Sequence, residues 1–361
     1  MAMSGRRILV VGPSWVGDMV MAHSLFQLLK KRNPGGVIDV LAPAWSRPLL
    51  ERMPEVRRAI DMPVGHGELN IGARGKLGRS LKDQYDQAIV LPNSLKSALL
   101  PLFAGIETRT GWRGEMRFGL INDIRLLDTR RYPLMVQRFN ALAFPDDFRK
   151  PVPAPFPALQ VDQEALSATL QKFDLHTTRP VLALCPGAEF GEAKRWPSEH
   201  YAAVAEARIR MGWQVWLFGS EKDREIAGQI RAAVDPALQD ALFNLCGDTS
   251  LAEAIDLMSC ATAVVSNDSG LMHVAAALQR PLVAVYGSTS PKFTPPLTER
   301  VAIVRLELDC SPCFERTCRY GHYHCLTQLM PAQVLDALEN VLSEDSPPDT
   351  IQLVSSDPAD D

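Results

Sequence analysis

The sequence predicts an α/β protein of two Rossmann-like domains with parallel sheets, facing each other across an inter-domain cleft. Two observations carry this prediction: short β-rich runs alternate with helical patterns, and the alternation restarts after a proline-rich segment. A third is length, because 361 residues are many for one hydrophobic core. Ligands of such sheets bind beyond the carboxyl ends of the strands, so the cleft is the expected site.

The first domain is predicted over residues 1–150. Its strands are expected at 7–11, 37–41 and 87–91, and its helices at 19–31, 45–53 and 94–103. The segment 145–157, PDDFRKPVPAPFP, holds five prolines in thirteen residues. Such a composition is typical of a stiff linker, and it marks the end of the domain.

The second domain is predicted over residues 151–343. Strands are expected at 181–185, 214–218, 263–266 and 282–286, and helices at 198–211, 221–233, 251–260, 271–277 and 331–342. Whether the last helix crosses back to the first sheet is left open. Residues 344–361 are acidic and polar, which predicts a disordered tail.

Charge is distributed unevenly along the chain. Residues 1–150 hold 23 Lys and Arg against 14 Asp and Glu, a net of +9, whereas the whole chain has a formal charge of −4. A basic half suits nucleic acid, an anionic membrane surface or an acidic substrate. No apolar run reaches the roughly 20 residues that a membrane-spanning helix needs, and the N-terminus lacks a signal-peptide pattern. The sequence therefore predicts a cytoplasmic protein.

The loops that follow the predicted strands of the second half have an unusual composition. The segment NDSGLMHVAAAL places Asp268, Ser269 and Gly270 at a helix start, where free N–H groups favour an anion such as a diphosphate. A merely capped helix is the alternative. Lys194, in PGAEFGEAKRWP, is a cation that suits the same diphosphate, and Glu221, in GSEKD, suits ribose hydroxyls unless it is a plain surface residue.

Three motifs that would indicate other nucleotide chemistry are absent from the sequence. There is no G-x-G-x-x-G after the first strand, no G-x-x-x-x-G-K-[ST] and no Asp-x-Asp. An oxidoreductase of the usual dinucleotide type is therefore disfavoured. A diphosphate leaving group would be stabilised by Lys194, backbone amides and a helix dipole, without a metal or other required cofactor.

Several long motifs together resemble the lipopolysaccharide heptosyltransferases of glycosyltransferase family 9. They are GPSWVGDMVMAHSL, LAPAWSRPLLERMPEV, LPNSLKSALLPLFAGI, RTGWRGEMR, CPGAEFGEAKRWP and SNDSGLMHVAAAL, which occur in the family's order between about residues 7 and 343. The resemblance implies the GT-B fold. It also implies inverting transfer of L-glycero-D-manno-heptose from ADP-heptose onto the first heptose of the inner core, heptosyl-Kdo2-lipid A.

The resemblance also implies roles for individual residues. Asp18 is implied as the catalytic base, although its position also suits a helix cap. The donor is implied to bind Lys194, Glu221, Asp268, Ser269, Gly270 and His273. A buried core histidine is the alternative for His273, and Glu189 and Phe190 depart from the hydroxyl residues that some relatives carry.

The basic first domain is expected to attract the anionic, lipid-anchored acceptor. The candidates for acceptor binding are Arg57, Arg58, Lys96, Arg113 and Arg117, with Arg74, Lys76, Arg79 and Arg109 in the same basic set. Any single one is more often a solvated charge. We expect peripheral association with the cytoplasmic face of the inner membrane and no nucleic-acid partner.

Four of the seven cysteines lie close together in DCSPCFERTCRYGHYHCL. Cys310, Cys313, Cys318 and Cys325 have near-ligand spacing for a structural zinc, but not two clean C-x2-C pairs. A labile disulfide and reduced thiols that pack a loop are the alternatives.

Two alternatives to the implied activity stay open at this stage. One is another core heptosyltransferase, such as the enzyme that adds the first heptose. The other is a nucleotide-sugar-binding protein without catalysis.

Overall fold

The computed structural model describes residues 5–65 and 67–343, which form two compact units. The first unit ends at Pro157 and the second begins at Ala158, at the end of the proline-rich segment. The sequence analysis placed this boundary at residue 150. The predicted acidic tail, 344–361, lies outside the described residues.

The first unit contains a parallel six-stranded sheet with the order β3-β2-β1-β4-β5-β6. Its strands are β1 (Arg7–Val11), β2 (Val37–Ala42), β3 (Val56–Asp61), β4 (Gln87–Val90), β5 (Thr108–Trp112) and β6 (Asp123–Arg125). Its helices are α1 (Val16–Arg32), α2 (Arg47–Leu50), α3 (Ile71–Ser80), α4 (Leu95–Phe103) and α5 (Met135–Ala141). Because the chain runs outward from β1 on one side and from β4 on the other, their loops diverge and leave a crevice at the carboxyl edge.

The second unit repeats this plan with the strand order β12-β11-β10-β7-β8-β9, again parallel. Its strands are β7 (Val181–Cys185), β8 (Gln214–Leu217), β9 (Leu242–Asn244), β10 (Ala263–Asn267), β11 (Leu282–Tyr286) and β12 (Val301–Arg305). Its helices are α6 (Gln163–Lys172), α7 (Ser198–Arg210), α8 (Arg224–Ala233), α9 (Leu251–Met258), α10 (Gly270–Ala277), α11 (His324–Thr327) and α12 (Pro331–Leu342). The topological switch point of a sheet is the place where the strand order reverses direction. It lies between β1 and β4 in the first sheet and between β7 and β10 in the second.

The final helix packs on the sheet of its own unit. In α12 the side chains of Val334, Leu338 and Val341 are buried in the core that β7, β8, β10 and β11 also supply. The alternative of a return to the first sheet is therefore wrong for this helix. Its apolar residues recur at helical spacing, and that stripe is filled by the nearest sheet.

Helix α3 was missed by the sequence analysis because it contains three glycines, which disfavour helices. The structure supplies a reason for one of them. A Cβ on Gly78 would lie 2.5 Å from the Cβ of Phe103 in α4. The small residue therefore allows α3 and α4 to pack closely, and packing outweighs propensity.

Candidate functional site

A cavity of about 480 Å³ lies at the switch point of the first sheet. The loops after β1, β2, β3 and β4 form most of its wall, and residues of α1, α3, α4, α5 and the loop after β5 also line it. Its polar and charged lining side chains include Ser14, Asp18, Arg74, Asn93, Ser94, Lys96, Ser97 and Glu115. The cavity thus brings together carboxylates and cations from segments that are far apart in the sequence.

Asp18 lies in the first turn of α1 and lines this cavity. The N-cap of the helix is Trp15, which has an extended backbone and makes no side-chain capping bond. Asp18 is thus the third residue of the helix and not its N-cap. At this position its side chain lies near the positive end of the helix dipole.

Arg74 is a cation of the same cavity, and it is only 4% exposed. Its guanidinium donates to the backbone oxygens of Glu68 and Leu69, at 3.0 and 2.7 Å, and to that of Lys96 at 3.3 Å. Among the described residues no carboxylate forms an ion pair with it. Burial lowers the pKa of Arg74, whose guanidinium also lies 3.5 Å from the Met62 sulfur.

Glu115 and Arg117 attach the loop after β5 to the loop after β4. The Glu115 carboxylate accepts a hydrogen bond from the N–H of Leu95, 2.7 Å away, at the start of α4. The Arg117 guanidinium is 2% exposed and donates to the carbonyl oxygens of Pro92 and Trp112, at 2.7 and 2.5 Å. The acceptor role of Arg117 stays a prediction, and its contacts are those of a residue that shapes the cavity wall.

Arg57 and Arg58 lie on β3, and they are not among the residues that line the cavity. Both donate to the buried carboxylate of Asp39, which also accepts from the Tyr85 hydroxyl at 2.6 Å. Burial alone would raise the pKa of Asp39, but the bonds from Arg57 and Tyr85 hold it below its usual value. Arg113 is exposed and also outside the lining, whereas Lys96 lines the cavity.

In the second unit, Lys194 and Asp268 meet at the switch point between β7 and β10. The Nζ of Lys194 lies 2.6 Å from Oδ2 of Asp268 and 3.3 Å from its backbone oxygen. The Thr289 hydroxyl donates to the same Oδ2 at 2.5 Å. The side chains of Lys194 and Asp268 are 14% and 4% exposed, so the pair is largely desolvated.

Helix α10 starts beside this pair. Its N-cap, Ser269, makes no side-chain capping bond, and its hydroxyl lies 3.3 Å from that of Ser266. The alternative of an ordinary side-chain-capped helix is thus not what the structure shows. His273 is buried one turn into the helix, and burial lowers its pKa to about 4, so its imidazole is neutral near pH 7.

Glu221 lies after β8 at the same edge of the sheet, with an exposed side chain. Both of its carboxylate oxygens accept from Arg224, at 3.0 and 2.9 Å, and these bonds lower the pKa of Glu221. Arg224 also reaches Asp248 at 3.0 Å. A carboxylate has further lone pairs, so this pairing leaves Glu221 able to accept hydroxyl groups.

Sequence reasoning missed three hydroxyl residues near Lys194, and it noted Phe190 only as a departure from the hydroxyl residues that some relatives carry. Ser288, Thr289 and Ser290 are buried directly after β11, and the hydroxyl of Ser288 has no hydrogen-bond partner in the described structure. Phe190 lies under the Nζ of Lys194, 5.0 Å from the ring centroid. The signal for the first group was the segment GSTSP, which places three hydroxyls after a strand.

The four clustered cysteines are free and half-buried. Burial, together with the nearby Cys310, Cys313 and Cys318, raises the pKa of Cys325 to about 11. Within residues 5–65 and 67–343, no group of three His, Cys, Asp or Glu side chains is arranged to hold a metal ion. The segment braces the Lys194 loop, because the N–H of Ala193 donates to the Arg316 carbonyl at 3.0 Å.

The chain is similar to known proteins along nearly its whole length. Residues 74–324 match the model of glycosyltransferase family 9 (heptosyltransferase). Lipopolysaccharide heptosyltransferase 2 of Escherichia coli K12 is 51% identical over 345 residues, which cover 94% of this chain and 99% of that protein. Lipooligosaccharide heptosyltransferase 2 of Haemophilus influenzae is 50% identical, with 93% and 99% covered.

A solved structure has the same fold. The structure of E. coli ADP-heptose lipopolysaccharide heptosyltransferase II superimposes with a TM-score of 0.85 at 50% identity, and it covers 93% of this chain and 98% of that one. None of the helices described here is long and apolar enough to span a bilayer.

Proposed function

Because the chain belongs to glycosyltransferase family 9, we propose that it transfers heptose from ADP-heptose onto the first heptose of the lipopolysaccharide inner core. It is a glycosyltransferase, and the family and the α/β fold class predicted from the sequence are confirmed. The donor is ADP-L-glycero-D-manno-heptose and the acceptor is heptosyl-Kdo2-lipid A. The observation that carries the proposal is the position of Asp18 on the wall of a cavity at the switch point.

The first unit holds the acceptor and supplies the base. Asp18 takes the proton from the acceptor hydroxyl while the hydroxyl oxygen forms a bond to the anomeric carbon of the donor heptose. The bond between that carbon and the diphosphate breaks in the same displacement, and ADP leaves with the electron pair. Attack on the face opposite the leaving group inverts the anomeric configuration.

The second unit holds the donor. Lys194, Asp268, Ser269, Gly270 and His273 surround the diphosphate and the heptose, and Glu221 accepts the ribose hydroxyls. Support comes from the desolvated lysine, 2.6 Å from Asp268, and from the start of α10, both of which suit an anion. The neutral imidazole of His273 is suited to hydrogen bonding without adding charge. The reaction needs no metal.

The cations of the first unit attract the acceptor. Lys96 and Arg113 bind its carboxylates and phosphates directly. Arg57, Arg58 and Arg117 are also proposed to bind the acceptor. The enzyme works at the cytoplasmic face of the inner membrane as a peripheral protein. Support comes from the net charge of +9 in residues 1–150, since anionic surfaces attract such a domain.

A transfer assay with Asp18→Asn tests the proposal. Loss of a general base is expected to lower kcat by about 10²–10⁴-fold, with ADP-heptose binding nearly unchanged. Glu115→Gln is the matched control, because Glu115 lines the same cavity but its carboxylate holds the N–H of Leu95. Turnover that survives in Asp18→Asn rejects Asp18 as the base.

The acceptor is tested separately, with acceptors that bear zero, one or two heptoses and with the linkage determined by NMR. Preference for the acceptor with one heptose is expected. Preference for zero heptoses identifies the enzyme of the first transfer, and preference for two identifies a later one. Binding of ADP-heptose without any transfer identifies a nucleotide-sugar-binding protein.

A further inference from the structure

The exposed large apolar side chains of the first unit share one location. Among its described residues they all follow the carboxyl end of a strand, at the edge where the cavity opens. The two most exposed, Met116 at 83% and Phe118 at 71%, lie in the same loop, 113–119, after β5. Two large apolar side chains that are almost fully exposed in one short loop indicate an interaction surface.

The loop 113–119 is held firmly, so the exposure is a property of the fold. Arg117 is buried and donates to the Pro92 carbonyl, the exposed Glu115 carboxylate accepts from the N–H of Leu95, and Met116 and Phe118 are exposed. Gly114 lies so close to that neighbouring loop that a Cβ would be 2.2 Å from the carbonyl oxygen of Asn93. These contacts hold the loop in place with two apolar side chains exposed to water.

Charge favours an anionic partner for this surface. Arg113 begins the loop, is exposed, and forms no ion pair with any described residue. Lys96, in the first turn of α4, likewise forms none within the described ranges. The acidic side chain of the loop, Glu115, is exposed, and its carboxylate accepts a hydrogen bond from the N–H of Leu95, 2.7 Å away. Apolar side chains next to unneutralised cations are typical of peripheral binding to anionic lipid.

We infer that the loop 113–119 is a membrane-docking loop, which inserts Met116 and Phe118 into the headgroup boundary of an anionic bilayer. The inference rests on the proposed function, because that function gives the enzyme a lipid-anchored acceptor. Glu115 of this loop lines the cavity that contains Asp18, so docking brings the cavity mouth to the lipid surface. The contact is interfacial and needs no membrane-spanning segment.

Vesicle co-sedimentation tests the inference. The probes are vesicles of phosphatidylethanolamine with phosphatidylglycerol, and vesicles of phosphatidylcholine alone. The double substitution Met116→Gln with Phe118→Gln is expected to weaken binding to anionic vesicles about tenfold or more, because both side chains lose their apolar contact. Arg113→Gln is expected to weaken it about fivefold on anionic vesicles and not on neutral ones.

Met211→Gln is the matched control, because Met211 is 61% exposed in the second unit and should not affect vesicle binding. Circular dichroism and thermal unfolding check that each variant is folded. Transfer onto a deacylated, water-soluble acceptor should be unchanged in the double variant. This assay separates two kinds of failure. If the proposed reaction is wrong, the unsubstituted enzyme does not transfer heptose to this acceptor either. If only the docking inference is wrong, the unsubstituted enzyme transfers heptose but the double variant binds vesicles normally.

Three outcomes overturn the inference. The first is that the unsubstituted protein does not bind anionic vesicles, or that the double variant binds them equally well. The second is that the double variant has a raised KM for the water-soluble acceptor, which assigns the loop to sugar recognition. The third is that light scattering shows a dimer that the substitutions dissociate, which assigns the surface to a second copy of the chain.

Discussion

The pair formed by Lys194 and Asp268 allows structural and binding roles to be separated by substitution. Lys194→Met leaves the Asp268 carboxylate buried, with the Thr289 hydroxyl still donating to it. Removal of one partner from a buried ion pair destabilises a protein by about 3–5 kcal/mol. A unit of this size loses about 2–4 °C per kcal/mol, so the Tm of the second unit should fall by roughly 6–20 °C.

The same substitution removes one charge-assisted hydrogen bond to the diphosphate. Such a bond contributes about 1.5–3 kcal/mol, so ADP should bind roughly 10–150-fold more weakly. Isothermal titration calorimetry measures the affinity, and differential scanning fluorimetry measures the Tm.

A second variant separates the two effects. Lys194→Met combined with Asp268→Asn removes the stranded charge, while the introduced amide oxygen still accepts from Thr289. Most of the lost stability should return, and ADP should still bind weakly. Lys222→Met is the control, because its pair with Glu189, at 2.5 Å, has exposed side chains and contributes only about 0–1 kcal/mol.

Two results would refute this reasoning. If Lys194→Met leaves the Tm unchanged, the pair does not behave as a buried one. If the double variant binds ADP as tightly as the unsubstituted enzyme, Lys194 is not a ligand of the diphosphate.

Four further predictions follow from the described contacts. Between pH 6.5 and 4 the unfolded chain binds a proton at His273 that the folded chain excludes, so acidification from pH 7 to 4 should lower the free energy of unfolding by about 3 kcal/mol. His273→Gln should remove this dependence of the unfolding free energy on pH, which urea titrations at several pH values measure. Asp39→Asn should lower the free energy of unfolding by about 2–4 kcal/mol, also measured in urea. The reason is that the buried carboxylate that pairs with Arg57 and Arg58 becomes a neutral amide. Lys96→Met should raise the KM for the acceptor and leave kcat within a factor of about two in the transfer assay. Elemental analysis checks the zinc predicted for the cysteine cluster: one zinc per chain supports it, and a metal-free, active preparation rejects it.

Most central strands were predictable because they are apolar runs bounded by turn residues. The strand at 181–185 and the helix at 331–342 match the structure at both ends, and α1 begins three residues before its predicted start. Strand β3 was missed because it lies at the sheet edge and carries Arg57, Arg58 and Asp61, which break the apolar pattern. Edge strands do not need to be apolar on both faces, so their sequences contain less signal.

The candidate site was predictable where a strand-end loop contains its own chemistry. NDSGLMH predicted Asp268, Ser269 and Gly270 at a helix start, and the structure places them at the switch point beside Lys194. GPSWVGDM predicted a carboxylate at the start of α1, and the structure places Asp18 on the cavity wall. In each case residues adjacent in sequence were enough to define the position.

By itself, the sequence determined the two parallel α/β units, the family and the strand-end loops that contain the site, because local periodicity and contiguous motifs encode them. Only the tertiary structure decided what each cation faces. Arg57 and Arg58 bind Asp39, Arg117 holds two loops together, Arg74 lines the cavity, and Arg113 stays exposed. In a list of charges these arginines are equivalent, since their partners come from other strands and loops. Long-range packing alone sets which of them lose water, and therefore which remain available to a substrate or a membrane.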